Sequence, residues 1–133
     1  MRIVGCEILH CNAGWRDFSF LKLMTDENIT GISEYNECYG SPGLSGIIRR
    51  LVERVKDMDQ LAHEHIHQCL YAATRQAPGG VNQQAIAAIE NALLDIKGQA
   101  LNIPVYDILG GAIRREIPVY WSHCGTYIWR PEI

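Results

Sequence analysis

The sequence has little excess charge, few aromatic residues and no long apolar run. Twelve Lys and Arg stand against fifteen Asp and Glu, for a formal net charge of -3, so the basic stripe expected of a nucleic-acid binder is missing. No apolar run approaches the roughly 20 residues of a membrane span. A carboxylate at Glu7 comes too early for a signal peptide. We therefore expect no nucleic-acid partner and no membrane partner.

Several sequence signatures are also missing. The five cysteines are odd in number and show no C-x-x-C spacing, which favours reduced thiols in a cytoplasmic protein. Gly40, Gly43 and Gly46 lie three apart, but no lysine follows them as in a phosphate-binding loop. The chain has 133 residues, about half of the roughly 250 that an eight-fold βα barrel needs. A chain of this length can still bury enough surface to form a single hydrophobic core.

What is present is a change from strand patterns to helix patterns. In 18–24, Ser19, Leu21 and Leu23 alternate with residues that point the other way. Asn28 suits a tight turn between that strand and a strand from Ile29 to Glu37. With the apolar segment from Ile3 to Cys11, these strands predict an antiparallel meander, because its connections are short.

Apolar residues at helical spacing then predict three helices. The first begins near Ser45, a candidate N-cap; Asp59 is a candidate cap for the second. The third is expected from Asn82 to Leu101, and Pro104 permits a short fourth helix. Residues 117–122 read as one more strand. Strands followed by helices indicate an α+β fold with the helices on one side of the sheet.

Most clusters of reactive side chains have a structural explanation. His63 and His67 share a helix face, but a zinc site needs a third ligand, so a solvated face is the simpler reading. Asp95 is expected to form an ion pair, for example with Arg114 or Arg115. The adjacent His and Cys residues of the chain cannot pair as base and nucleophile in a strand, since neighbouring side chains there point to opposite faces.

The connections at the end of the meander are better candidates for a binding site. Arg16 follows Trp15 in the first connection, and an arginine can bind a carboxylate bidentately. Tyr35, Asn36 and Tyr39 could line the same cleft. Ordinary packing or surface roles remain the alternative for these residues.

Two segments resemble a known family. Residues 25–34, TDENITGISE, resemble the strand-turn-strand signature T-D-[DE]-G-x-x-G-x-G-E of the enolase superfamily. Residues 92–111, ALLDIKGQALNIPVYDILGG, are similar to A-L-W-D-I-K-G-K-A-L-G-x-P-V-Y-x-L-L-G-G of its mandelate racemase and muconate lactonizing branch. Asn28 and Asn102 stand where the family has glycine, and asparagine tolerates the left-handed conformation next best.

The resemblance implies an N-terminal capping domain over residues 1–112, a three-stranded meander followed by a helical bundle. Residues 113–133 would begin a βα barrel, with a lone terminal strand. The family's magnesium ligands and catalytic bases lie on later barrel strands, so the resemblance assigns no catalytic and no metal residue to this chain. It implies substrate-binding roles for Trp15, Arg16, Tyr35 and Tyr39 in the cap loops, and for His123 at the end of the first barrel strand.

The implied parent is a magnesium-dependent enzyme that abstracts a proton alpha to a carboxylate. Its substrate would be a small carboxylate or a sugar acid, and it would be a homo-oligomeric racemase, cycloisomerase or dehydratase. The 133-residue chain alone is expected to be inactive and to bind no magnesium. The alternative is a free-standing cap that serves as a binding or assembly module. In either case the apolar residues Val119 and Trp121 predict self-association.

Overall fold

The computed structural model describes residues 1–14, 16–38 and 40–120. Three strands come first and helices follow. The strands are β1 (Ile3–Asn12), β2 (Asp17–Thr25) and β3 (Thr30–Tyr35). The helices are α1 (Leu44–Val55), α2 (His63–Ala73), α3 (Gly80–Leu101) and the single turn α4 (Val105–Ile108). The predicted α+β architecture is confirmed.

The strands form one antiparallel sheet in the order β1-β2-β3. Asn28 takes a φ of 62° in the turn between β2 and β3, the left-handed conformation that its short polar side chain tolerates. Asn102 does the same at the end of α3, with a φ of 53°. Both asparagines thus adopt the left-handed conformation that glycine adopts most readily.

Alternation along the strands sets which face of the sheet is buried. Ser19, Leu21 and Leu23 of β2 are buried, whereas their neighbours are half-buried or exposed. Helices α1 and α3 pack on this inner face and supply most of the core, and α2 packs against these two helices. The fully buried side chains from the sheet and these helices include Ile3, Leu21, Leu23, Leu44, Ile48, Leu51, Ile86, Ile89, Leu93 and Ile96.

Strand β3 and helix α3 approach each other more closely than side chains would allow. A Cβ placed on Gly31 would lie 2.0 Å from the carbonyl oxygen of Ala92 and 2.7 Å from Cγ1 of Ile96. Such an approach of backbone to backbone requires glycine. The glycine of the strand signature is therefore a packing requirement.

Helix α3 also closes the outer edge of β3. The Asp95 carboxylate accepts a hydrogen bond from the Ile32 N–H at 2.9 Å, and the Gln99 amide donates to the Thr30 carbonyl at 2.8 Å. The expected ion pair between Asp95 and Arg114 or Arg115 is not formed within the part of the chain that the structure describes. Asp95 instead accepts a backbone N–H from β3, an edge strand whose unpaired N–H and C=O groups need hydrogen-bond partners.

The histidine face of α2 is not a solvated face, which corrects the sequence interpretation. Nδ1 of His67 lies 3.1 Å from the Glu90 carboxylate, and Lys97 donates to Nδ1 of His63 at 3.2 Å. The His63 side chain is only 14% exposed. Both histidines therefore join α2 to α3.

Two predicted helix caps are also corrected. Helix α1 begins at Leu44 with Gly43 as its N-cap, so Ser45 lies inside the first turn. Helix α2 begins at His63, and Asp59 accepts the Leu61 N–H in the turn before it. In both places the chain reverses before the helix starts, which the apolar spacing does not reveal.

After α4 the chain exposes apolar side chains. Leu109, Ile113, Ile117, Val119 and Tyr120 are 70% to 97% exposed. Residues 117–120 have no regular secondary structure, and the rest of the predicted terminal strand, including Trp121, lies outside the described residues. None of the described helices is both long enough and apolar enough to cross a membrane.

Candidate functional site

Two connections meet at one end of the sheet. The first loop, residues 13–16, joins β1 to β2, where Asn12 pairs with Asp17. The second loop, residues 36–43, leaves β3 just after Tyr35, which pairs with Ser19 of β2. The antiparallel register therefore brings both loops to the same end, as the sequence predicted.

The first loop is held by its own side chains. The Asn12 side-chain amide donates to the Asp17 carboxylate at 2.6 Å, and its oxygen, Oδ1, accepts the Gly14 N–H at 2.9 Å. Gly14 has a φ of 83°, which is easy for glycine. The tip of the hairpin is thus a defined turn.

Arg16 emerges from this turn onto the outer face of the sheet. Its Nη2 lies 2.9 Å from Oε1 of Glu34, and its Cζ lies 4.1 Å from the centre of the Phe18 ring. The Phe18 ring and the Glu34 carboxylate together fix the plane of the Arg16 guanidinium group. A ligand carboxylate that binds Arg16 has to compete with, or add to, the contact with Glu34.

Tyr35 lies deeper than a surface contact residue. It is 7% exposed, and its hydroxyl lies 2.6 Å from Oγ of Ser45. Burial raises the pKa of the Tyr35 phenol, so the hydroxyl stays protonated. Its part in the site is to join β3 to the start of α1.

Glu37 closes this polar connection. Its carboxylate accepts a hydrogen bond from the Ser45 hydroxyl, and the backbone N–H groups of Ser45 and Gly43 favour its ionised form. Partial burial opposes ionisation, but the hydrogen bonds outweigh it and the pKa of Glu37 is lowered. The carboxylate is therefore ionised at neutral pH and sits at the N-terminus of α1, where the helix favours negative charge.

Other contacts fix the second loop to its neighbours. The Cys38 thiol donates to the Asp17 carbonyl at 3.2 Å, which links the second loop to the base of the first. The Ser41 hydroxyl donates to the Gln84 amide oxygen of α3 at 2.6 Å. The loop is thus tied to β2 and α3 as well as to α1.

A cavity of about 470 Å³ opens between this loop, the end of β3 and the first half of α3. Its size suits a small molecule. It is lined by Glu34, Tyr35, Asn36, Gly40, Ser41, Leu44, Gln84, Ala87, Ala88 and Asn91. Amides and a hydroxyl supply most of its polar groups, and no cation stands among these described lining residues. Such a wall suits the hydroxyl groups of a ligand better than its carboxylate.

The structure brings together only some of the residues that the sequence proposed. Tyr35 and Asn36 line the cavity, and Arg16 contacts Glu34 beside it. Trp15, Tyr39 and His123 lie outside the described residues. Sequence reasoning missed Ser41, Gln84 and Asn91.

The sequence does contain a weak indication of the α3 residues that line the cavity. Gln84, Ala88 and Asn91 recur at helical spacing and so share one face. Only the packing of α3 against β3 shows that this face borders a cavity.

The described residues do not fit a metal ion. No group of three or more His, Cys, Asp or Glu side chains lies close enough together in the described ranges to hold one. Neither His63 with His67 nor the carboxylates near the loops gains a third ligand there.

Comparison with known proteins gives a family and a set of relatives. The sequence model described as "Mandelate racemase / muconate lactonizing enzyme, N-terminal domain" matches residues 11–110. A D-galactonate dehydratase from Xanthomonas axonopodis pv. citri (strain 306) is 35% identical in an alignment 127 residues long that covers 90% of this chain and 31% of that protein. The D-galactonate dehydratase of Pectobacterium atrosepticum is 38% identical in an alignment 108 residues long that covers 76% of this chain and 26% of that protein.

Solved structures agree in fold. A candidate L-alanine-DL-glutamate epimerase from Burkholderia xenovorans strain LB400 has a TM-score of 0.90 and 47% identity, over 96% of this chain and 32% of that one. The same protein bound to magnesium and fumarate gives a TM-score of 0.89 and 48% identity, over 94% of this chain and 31% of that one. The chain thus spans about a third of the length of these relatives.

Proposed function

Because the chain belongs to the mandelate racemase and muconate lactonizing enzyme family, as its N-terminal domain, we propose that it caps the active site of an enzyme that removes the proton alpha to a substrate carboxylate. Residues 1–112 are the cap, and residues 113–133 begin the barrel. The observation that carries the proposal is the match across the whole of β2, β3 and α1–α3.

The named relatives support a common first step. A dehydratase of a sugar acid and an epimerase of an amino-acid derivative carry out different overall reactions. Both can begin by removing a proton from the carbon next to a carboxylate. That proton is weakly acidic, and a cation on the carboxylate makes its removal easier by stabilising the negative charge that develops.

We assign magnesium to the parent enzyme and not to the described residues, which offer no metal cluster. Two structural relatives are bound to magnesium, in proteins about three times as long as this chain. The metal and the base would come from the two-thirds of such a protein that follows the cap. We expect the 133-residue chain alone to bind no magnesium and to be inactive.

The cap's contribution is to recognise the substrate and keep water out. The cavity offers Asn36, Ser41, Gln84 and Asn91, groups that donate and accept hydrogen bonds with hydroxyls. This favours a sugar acid whose hydroxyl-bearing end faces the cap. Arg16, with Trp15, Tyr39 and His123, is proposed to contact the substrate from the loops and from the start of the barrel.

Turnover by the full-length parent enzyme tests this function. With magnesium, we expect D-galactonate or a related sugar acid to lose water, seen as a 2-keto acid product. In deuterated water the product should carry one solvent deuterium at C3, because the alpha carbon becomes the keto carbon and the enol left by loss of water takes up its proton at C3. Mass spectrometry of the product checks this. The isolated 133-residue chain serves as the control, and turnover by it would contradict its assignment as a cap.

A second candidate is epimerisation of an amino-acid derivative. The observation that favours it is the 47% identity to the candidate epimerase, against 35% to the dehydratase. The same full-length protein should then exchange the alpha proton of L-alanyl-L-glutamate for deuterium without losing water. Exchange on this dipeptide and none on sugar acids would decide for the epimerase.

A cap that acts alone as a binding or assembly module remains the alternative to a cap on an enzyme. The coding sequence after Ile133 distinguishes them, since an enzyme requires a barrel there. In either case we propose that copies of the chain associate through the exposed apolar residues after α4, such as Ile117 and Val119. Sedimentation of the 133-residue chain that shows a monomer at high concentration would contradict this.

A further inference from the structure

We infer that Glu37 is a positioning residue that holds the second loop against the cavity through the start of α1, without touching a substrate. The loop's use as a substrate lid rests on the proposed function. The placement of the loop by Glu37 does not, and the two can be tested apart.

The start of α1 needs an acceptor that its own residues do not provide. Gly43 is the N-cap, has a φ of 84° and carries no side chain to accept a hydrogen bond. The first N–H groups of a helix have no partner within the helix. The Glu37 carboxylate, six residues before Gly43, accepts the hydroxyl of Ser45 in the first turn. Its negative charge therefore lies at the start of α1, where the free N–H groups favour it.

The same carboxylate orders a chain of hydroxyl groups. Because an ionised carboxylate can only accept, the Ser45 hydroxyl donates to Glu37. The Tyr35 hydroxyl must then donate to Ser45, at a distance of 2.6 Å. This chain joins the end of β3, the loop and the helix, and its direction depends on the charge of Glu37.

The loop is therefore fixed at both ends, and Gly40 and Ser41 between the two ends line the cavity. Glu37 binds the Ser45 hydroxyl in the first turn of α1, and Ser41 donates to Gln84 of α3 at the edge of the cavity. Asn36 adds a turn of its own by accepting the Cys38 N–H at 3.1 Å. If Glu37 no longer binds the start of α1, Gly40 and Ser41 are less firmly held at their distance from α3.

Hydrogen exchange in the 133-residue chain tests the placement directly. In Glu37→Gln, whose amide has a single acceptor oxygen, we expect the amides of Gly43 and Ser45 to exchange about tenfold faster or more. Alkylation of the exposed Cys38 thiol should also become faster. Amides in the middle of α3, such as that of Ile89, should keep their rates.

Two variants make the test specific. Glu53→Gln removes an exposed carboxylate on the same helix and should leave all of these rates unchanged. Ser45→Ala breaks the hydroxyl chain but keeps the negative charge of Glu37 beside the start of α1, so its effect should be smaller than that of Glu37→Gln. If Glu37→Gln fails to fold, Ser45→Ala still shows whether the loop amides depend on this contact.

The full-length enzyme tests what the loop does. A positioning role predicts that Glu37→Gln raises KM about tenfold while kcat falls by less than about threefold. Glu37→Asp, which keeps the charge, should recover part of the loss. If loop exchange in Glu37→Gln equals that in Glu53→Gln, the inference is overturned, whatever the substrate. If exchange rises while no sugar acid or dipeptide reacts with the wild type, the proposed function fails and the placement by Glu37 stands.

Discussion

The two ends of β3 are held by opposite kinds of contact. At its start, Gly31 lies against the backbone of α3 with no room for a side chain. At its end, Tyr35 joins a chain of hydroxyl and carboxylate groups beside a cavity. The distance between the two residues along the strand is only about 13 Å at the usual rise per residue.

The packed contact at Gly31 and the hydrogen-bonded loop after Tyr35 should respond differently to substitution. We call the contact of Gly31 in β3 with Ala92 and Ile96 in α3 the seam. It tolerates no added side-chain volume, because α3 cannot move away from β3 without uncovering the core. A loop held by hydrogen bonds can change its partners one at a time, and each change costs little. We therefore expect substitutions at the seam to unfold the protein, and substitutions at the loop end to alter binding first.

The largest effect is expected at the seam. Gly31→Ala would place a Cβ 2.0 Å from the Ala92 carbonyl oxygen, so the strand or the helix has to shift, and we expect a loss of about 3 kcal/mol or more. Urea unfolding of the purified chain measures it. Gly46→Ala is the matched control, because nothing lies within 4 Å of a Cβ there, and it should be neutral or stabilising by up to about 1 kcal/mol. Equal stability of the two variants would show that the close seam is not required.

The next effect concerns the edge of β3. Asp95→Ala removes the acceptor for the Ile32 N–H, and we expect a loss of about 1 to 2 kcal/mol in the free energy of unfolding. Asp95→Asn keeps an acceptor oxygen and should lose less. An ion-pair role would instead make the asparagine variant as unstable as the alanine variant. Denaturation of both variants at high and low salt distinguishes the two roles.

At the loop end the effect on stability should be smaller. Ser41→Ala removes the hydrogen bond to Gln84, and we expect to lose about 1 kcal/mol. Gln84→Ala, combined with Ser41→Ala in a double-mutant cycle, should cost little more than either change alone, because both remove one contact. Additive losses would show that the two side chains act separately.

The smallest effect is a change in pH dependence. Hydrogen bonds from Ser45 and Gly43 outweigh the burial of Glu37 and lower its pKa, and the charge of His10 acts in the same direction. A lowered pKa in the folded state gives a contribution that is full above the unfolded pKa, about 4.3, and is lost as the pH falls through the lower folded value.

Glu37→Gln should therefore flatten the acid side of the stability profile. Melting temperatures measured from about pH 6 down to about pH 3 should fall less steeply in this variant than in the wild type. The exposed Glu53 provides the comparison, since Glu53→Gln should keep the wild-type slope. Parallel slopes for all three proteins would mean that ionisation of Glu37 does not stabilise the fold.

The strands, their faces and the helices could be predicted because local patterns fix them. Leu21 and Leu23 alternate with outward residues, and Asn28 has the turn conformation that its side chain allows. The caps were harder. Ser45 has the chemistry of an N-cap, but the helix begins after Gly43, and the Ser45 hydroxyl donates to the Glu37 carboxylate of the preceding loop.

The candidate site was predicted less completely than the fold. The end of the meander was identified from aromatic and arginine residues in the connections. The α3 side of the cavity was not, since Gln84 and Asn91 read as an ordinary polar face until α3 is packed against β3. The same holds for Asp95, whose partner is a backbone group 63 positions away.

The order of elements, the buried face of the sheet and the family are all predictable from the amino-acid sequence. Those properties follow from short-range spacing, turn chemistry and motifs that are continuous along the chain. Three other features emerge only when the chain is packed: Gly31 meets α3 without room for a methyl group, Asp95 closes a strand edge, and Glu37 holds the second loop. Each of these depends on which groups, distant in sequence, the packed fold brings within a few ångströms of one another. Local sequence patterns do not indicate such contacts.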